Sequence, residues 1–238
     1  MIGDRTPIRA VLFDVDGTLY HQGVVRRRMA AALLRRFAFE PRRARERLRN
    51  LSCWRAALEA LRPETADFIR QHGGLRSRQR SIALQNGAID ATLDDDVDEW
   101  MATRALEVLK PARREGLVEL LASLTDRGVL LGAWSDYPCD AKLEALDVAE
   151  AFSVRVSADD VDCLKPWPHG FHLAARRLGV PTRECLYVGD RADVDAAGAA
   201  AAGMRCVLFG RPGASGGVFT VRTPADLRDR LLAFLDNG

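Results

Sequence analysis

Lysine is nearly missing from this 238-residue chain: of 35 basic residues only Lys110, Lys142 and Lys165 are lysine, leaving 32 arginines. A skew of that size points to coding bias rather than to binding, so arginine counts carry little weight and a lone lysine carries more. No apolar run approaches the roughly 18 residues that a membrane span needs. The N-terminus also lacks a basic-then-apolar leader, so a cytoplasmic protein with no membrane contact is expected. The five cysteines (Cys53, Cys139, Cys163, Cys185, Cys206) form no C-x-x-C pair, which argues against a disulfide framework and a structural zinc site. Histidine is scarce, and His21, His72, His169 and His172 show no ligand spacing beyond one i, i+3 pair. There is no internal repeat. A net charge of +2 argues against an obligate polyanion binder.

What is present is the composition of a globular protein, 47% hydrophobic and 29% charged, long enough for one large domain or a domain with an insertion. Short apolar runs at Ile8–Phe13, Val129–Trp134, Ser153–Val156, Cys185–Val188 and Met204–Phe209 alternate with helical patterns, the mark of a parallel α/β sheet. Leu117, Leu120, Leu121 and Leu124 form one helical face, stopped by Gly128. Phe171 to Leu178 forms another, ending at Gly179, and an alanine-rich stretch from Asp195 to Ala202 stops at Gly203. Thr223-Pro224 predicts an N-cap and a first helical position, opening a helix to about Phe234. The glycine-rich stretch Gly210–Gly217 reads as a loop after the last strand.

Between the first strand and the second, the pattern is helical throughout. Val25, Met29, Ala32, Leu33 and Phe37 give one face; Leu51, Trp54, Leu58 and Leu61 a second; Val97, Trp100, Met101 and Val108 a third. The expected organisation is therefore a core from residues 1–20 and 109–238 with a helical insertion over 21–108. That insertion carries ten arginines within residues 26–49 against Glu40 and Glu46. With little aromatic interleaving, they read as a solvated helical face in preference to a nucleic-acid patch. Tyr20, His21 and Trp54 are placed facing a substrate.

The candidate chemistry sits where strands end. Asp14 and Asp16 follow the first run, and in an extended chain residues i and i+2 point to one side, so the two carboxylates converge. Their repulsion is costly unless a cation or a shared proton relieves it. Gly17 permits a sharp turn beside them. Ser135-Asp136 follows the second run, Lys165-Pro166 lies in the loop after the third, and Gly189 to Asp195 follows the fourth. In open parallel sheets the ligand crevice lies outside such carboxyl ends, so these scattered groups can meet.

Taken in order, the D-x-D-G-T segment at Asp14–Thr18, the strand-terminal Ser135, the lysine before proline at Lys165 and the G-D loop Gly189–Asp195 resemble the haloacid dehalogenase superfamily. Each motif alone is weak; the ordered set spans residues 8 to 209. The resemblance implies an α/β fold, a doubly wound, parallel five-stranded, Rossmann-like core with an inserted all-helical cap. It implies a phosphatase-type member, a magnesium-dependent hydrolase of a small phosphorylated metabolite. Asp14 is then the nucleophile that forms an aspartyl-phosphate. Asp16 is the acid and base, kept partly protonated by neighbouring negative charge. Mg2+ falls to the Asp14 carboxylate, the Asp16 carbonyl and Asp190. Thr18, Ser135, Asp136 and Lys165 are placed with the substrate, Thr18 also orienting Asp16. Asp195, with Asp193, anchors outer water molecules or Lys165. Dehalogenases of this superfamily lack the second carboxylate, so Asp16 favours phosphate chemistry. The alternatives are a phosphomutase of the same superfamily and a non-catalytic nucleic-acid-associated protein using the basic insertion. Oligomeric state and substrate identity leave no mark in the pattern.

Overall fold

The computed structural model describes residues 6–210 and 219–236. The chain gathers into two compact units, Met1–His21 with Arg113–Gly238, and Gln22–Ala112.

The first unit is built on a parallel sheet of β1 (Ala10–Phe13), β2 (Leu130–Ser135), β3 (Val154–Ser157), β4 (Cys185–Gly189), β5 (Arg205–Phe209) and β6 (Phe219–Val221), in the order β3-β2-β1-β4-β5-β6. All four residues of β1 and all five of β4 are buried, as expected of strands covered on both faces. Five strands are expected from the sequence and six are found. The sixth has only three residues, too few to show a period. It owes its place to pairing with β5, Val207 opposite Phe219. The glycine-rich stretch expected as a loop lies, after Gly210, outside the described residues.

The chain runs outward from β1 through β2 to β3, then returns to place β4 against the other side of β1. Strand order therefore reverses at β1, and the carboxyl ends of β1, β2 and β4 come together there: Phe13 is in register with both Ala133 and Val188. The Asp14 amide donates to the Val188 carbonyl at 2.8 Å, extending that register by one residue into the loop.

The second unit is helical: α1 (Gln22–Arg36), α2 (Pro41–Leu61), α3 (Ala66–Gln71), α4 (Leu75–Gln85) and α5 (Asp90–Val97). Leu33 and Phe37 pack with Ala44, Leu51 and Trp100, while Trp54 packs with Ala57, Ala83, Leu93 and Val97. Trp54 thus belongs to this unit's core, 4% exposed, and does not face a substrate. It shares its helical stripe with Leu51, Leu58 and Leu61, and that periodicity decides its direction. The third face expected from Val97 to Val108 is not one helix: α5 ends at Val97, followed by a π-helical turn, Asp98–Thr103, and a short turn, Arg104–Leu106. Buried Asn50 ties α2 to α5, donating to Asp96 at 2.7 Å and to Thr92 at 3.0 Å. Several arginines of the basic run are paired, Arg42 with Glu46, Arg43 with Glu40 and Arg47 with Asp96.

Helices α6 (Leu117–Thr125), α7 (Asp140–Ala145), α8 (His169–Leu178), α9 (Ala197–Ala201) and α10 (Pro224–Asp236) complete the first unit. The expected cap of α10 is formed: the Thr223 hydroxyl accepts from the Asp226 amide at 3.1 Å. Helix α8 starts against β2, where Gly170 lies on the indole of Trp134 so closely that a Cβ would overlap the ring. Phe171, next in sequence, meets Trp134 edge-on at 6.0 Å and Tyr187 at 4.7 Å between centroids. Tyr20 and Arg113 form an isolated antiparallel bridge, which sets the two chain crossings to the helical unit side by side. Among the described residues no helix is long and apolar enough to cross a membrane.

Gly170→Ala should therefore destabilise the protein by about 1–3 kcal/mol, the usual cost of overpacking a filled core. The check is the urea unfolding midpoint, read with the slope unchanged.

Candidate active site

Four loops at the switch point bring together the polar residues that the sequence scatters. β1 delivers Asp14 directly from its last buried residue, and Asp14 is itself 5% exposed. Gly17, at φ 99°, turns the chain back; a side chain there would strike the Asp190 carboxylate. Lys165, 2% exposed, reaches inward from the loop after β3, its peptide bond to Pro166 in the cis form. Its ammonium donates to Asp14 Oδ1 at 2.6 Å, to Asp195 Oδ1 at 2.8 Å and to the Tyr187 hydroxyl at 2.9 Å. Burial works against that charge, but Asp14 and Asp195 outweigh it and lift Lys165 above an ordinary lysine. All three N–H donors are used, which is how a buried ammonium is made tolerable.

Asp195 holds the last loop in shape. Its Oδ2 accepts from the amides of Asp190 and Arg191, each at 3.0 Å, while its Oδ1 faces Lys165. Gly189 permits this, because any Cβ there would collide with the Asp195 side chain. The Asp190 carboxyl is pushed up to about 6 by burial and then by the neighbouring Asp195 charge. Asp193, expected beside Asp195, is turned away onto the exposed guanidinium of Arg191 at 2.7 Å. Asp136, expected with the substrate, accepts from the Lys165 amide at 3.0 Å and braces the lysine loop. Both contacts have one cause: loop carboxylates are drawn to nearby main-chain or guanidinium N–H groups, and sequence spacing does not show which.

Asp16 stands apart from this buried set. Lys142, on the first turn of α7, donates to both its oxygens, at 2.8 Å to Oδ1 and 2.6 Å to Oδ2. Tyr20 donates its hydroxyl to Oδ1, and the Ser135 hydroxyl lies 3.5 Å from Oδ2. Burial raises the Asp16 carboxyl, but the Lys142 charge and these hydrogen bonds reverse the effect and leave it below its usual value. The expectation of a partly protonated Asp16 held by surrounding negative charge is therefore corrected: the charged group in contact with it is an ammonium. Thr18 does not orient it either, since the buried Thr18 hydroxyl has no hydrogen-bond partner.

Arg114 secures the turn from outside. Its guanidinium donates to the carbonyls of Gly17 at 2.8 Å and Thr18 at 2.9 Å and lies 4.7 Å from the Phe209 ring centroid. Lys142, Tyr187 and Arg114 were not among the expected site residues. Lys142 carried a legible signal, being one of three lysines. Tyr187 reads as core within an apolar strand, and Arg114 is lost among 32 arginines.

Asp14, Asp190 and Asp195 each bring a carboxylate oxygen within 4.8 Å of the others. Both Asp195 oxygens are already engaged by protein donors. The other Asp14 oxygen, Oδ2, is buried and has no hydrogen-bond partner. An unpaired buried carboxylate oxygen on a residue of this three-carboxylate cluster fits a hard divalent cation.

Three comparisons bear on this geometry. A model of the haloacid dehalogenase-like hydrolases matches residues 8–203. The chain is 31% identical over 210 residues to a phosphoglycolate phosphatase of Escherichia coli (strain K12), covering 81% of this chain and 78% of that protein. A phosphoglycolate phosphatase of Salmonella choleraesuis is 30% identical over the same length. Among solved structures, a phosphatase from Thermococcus onnurineus superposes with a TM-score of 0.63 at 25% identity, covering 94% of this chain and 98% of the other. The L-2-haloacid dehalogenase of Xanthobacter autotrophicus reaches 0.67 at 20% identity over 95% and 98%, a likeness of fold alone.

Since the Asp190 carboxyl binds its proton more tightly in the folded chain than in the unfolded one, its ionisation opposes folding as pH rises. Without divalent cations, Asp190→Asn should gain thermal stability relative to the wild type between pH 4 and about 7, passing through the folded value of about 6. Melting curves across that range, in chelator, check the sign.

Proposed function

The chain belongs to the haloacid dehalogenase-like hydrolases, and from that premise we propose a phosphomonoesterase whose nucleophile is Asp14. The observation that carries this reading is the Lys165 ammonium, 2.6 Å from Asp14 and 2.8 Å from Asp195, beside a second carboxylate, Asp16, on its own cation. A carboxylate attacking a phosphate dianion needs positive charge close to both, and the site is built around it.

In the first step an Asp14 oxygen forms a bond to phosphorus as the ester P–O bond breaks, and Asp16, ionised in the free site beside Lys142, first takes up a proton from solvent and then passes it to the departing oxygen. In the second, Asp16 takes a proton from water, whose oxygen displaces Asp14 and frees inorganic phosphate. Ser135 contacts the phosphoryl oxygens, and Lys165, held on Asp14 and Asp195, supplies positive charge beside them. Asp195 and Asp136 keep Lys165 on station through its ammonium and its amide. Mg2+ would be held by the carboxylates of Asp14 and Asp190 and the Asp16 carbonyl. When bound it neutralises charge on the transferring group and eases the approach of one anion to another.

The substrate we propose is a small phosphorylated carboxylate of the phosphoglycolate type, since relatives 31% identical are phosphoglycolate phosphatases. The reaction is assigned to the cytoplasm.

Phosphate release across a panel of phosphorylated metabolites is the test. 2-Phosphoglycolate should rank among the fastest substrates, and chelator should suppress turnover until Mg2+ is restored. A phosphomutase would give an isomeric phosphate and little free phosphate. Asp14→Asn should reduce turnover to background with the fold intact; retained turnover would remove Asp14 as nucleophile. Lys165→Ala should lower kcat by about 10²–10³-fold, the scale of one lost electrostatic donor.

A further inference from the structure

We infer that Arg114 is a positioning residue for the cation site: it clamps the Gly17 turn and so fixes both the Asp16 carbonyl and the Asp190 carboxylate. The inference rests on the reading of the Asp14 and Asp190 carboxylates and the Asp16 carbonyl as the holders of Mg2+.

The turn needs an outside hold. Gly17, at φ 99°, is the joint between the Asp16 carbonyl and the chain that leads on to Tyr20. A glycine has more backbone freedom than any other residue, so this joint does not hold its own shape. From inside, the turn is closed by the Leu19 amide, which donates to the Val15 carbonyl at 3.1 Å. From outside, the Gly17 carbonyl accepts from Arg114 Nη2 at 2.8 Å and the Thr18 carbonyl from Nε at 2.9 Å. The Arg114 amide adds a third bond, to the Leu19 carbonyl at 3.0 Å. One residue thus grips three successive carbonyls, two of them through the rigid fork that distinguishes a guanidinium from an ammonium.

The fork is itself held in place. The Arg114 carbonyl accepts from the Leu117 amide, 3.3 Å away at the start of α6. The guanidinium lies over the ring of Phe209, a residue 5% exposed at the end of β5.

The grip reaches the cation site through direct neighbours. The Asp190 carboxylate packs on Gly17 so closely that no side chain fits between them. Asp16 is joined to Gly17 by the peptide bond whose carbonyl is assigned to Mg2+. A shift of the Gly17 peptide therefore turns one ligand and loosens the packing of another.

Charge alone would act the other way. The Arg114 and Asp190 charges act on each other, and a guanidinium near a divalent cation repels it. Removing the charge without moving the ligands tightens cation binding, whereas removing the clamp weakens it. The sign separates the two roles.

Calorimetric titration of Mg2+ into the substrate-free protein is the test, because it reads the site without turnover. For Arg114→Met the dissociation constant should rise by about 10–100-fold, the usual effect of losing a group that holds a metal ligand in place. Arg114→Lys keeps the charge and loses the fork, so its constant should also rise, by a smaller factor. Melting curves establish that each variant is folded at the titration temperature; if Arg114→Met is not, Arg114→Lys carries the test. A role in stability alone would leave a folded variant at the wild-type constant. Unchanged or tighter binding in a folded variant would overturn the inference. A wild type that binds no Mg2+, or an Asp190→Asn variant that binds it as tightly as the wild type, would instead remove the cation from the proposed function, and this inference with it.

Discussion

One buried ammonium organises the centre of this protein. Lys165 has no water to turn to, so three acceptors must be brought to it, and they come from two neighbouring strands and the loops that follow them: Asp14 after β1, Tyr187 within β4 and Asp195 beyond β4. Taking a charge of this kind out of water costs several kcal/mol unless its partners are fixed in advance. The supporting contacts read as answers to that requirement. Tyr187 is tethered to the Trp134 carbonyl at 3.1 Å, Asp195 by two loop amides, and the Lys165 amide itself by Asp136. Remove the ammonium, and two carboxylates remain buried against each other.

The division of labour between the two lysines follows from burial. Lys165 is sealed, 2% exposed, and so is the Asp14 carboxylate that it touches, at 5%. Lys142 sits where its partner, Asp16, still meets solvent, each side chain 16% exposed. An arginine in either place would bring a wide planar fork; lysine brings a point charge on a thin stem, which fits between closely spaced carboxylates. In a chain that uses arginine almost everywhere else, two of its three lysines stand at this site.

Much of this was legible in the chain. The alternation of apolar runs and helical stripes gave the parallel core, because fully buried strands need continuous apolar residues and the period of a helix is hard to mimic. The motif residues Asp14, Asp16, Lys165 and Asp190 stood out because carboxylates and an ammonium at strand ends have few structural reasons to be there. What stayed hidden were contacts made in space alone. Nothing near residue 142 announces Asp16, 126 residues away, and the difference between Asp193 and Asp195 is a matter of which side of one turn faces inward. The three residues of β6 fell below the length at which alternation can be seen. Trp54 was misplaced because an aromatic residue in a helical stripe serves a core and a ligand surface with the same spacing.

The bridge between Tyr20 and Arg113 has an evolutionary corollary. The helical unit enters and leaves the sheet-bearing unit at neighbouring points on one short ladder, with the Arg114 amide donating to the Leu19 carbonyl at 3.0 Å. To the catalytic turn, the intervening ninety or so residues are one long loop whose ends are already clipped, and lengthening such a loop adds little further entropic cost. Segments of quite different length and fold can therefore be grafted at that clip without altering the register of the strands on either side of it.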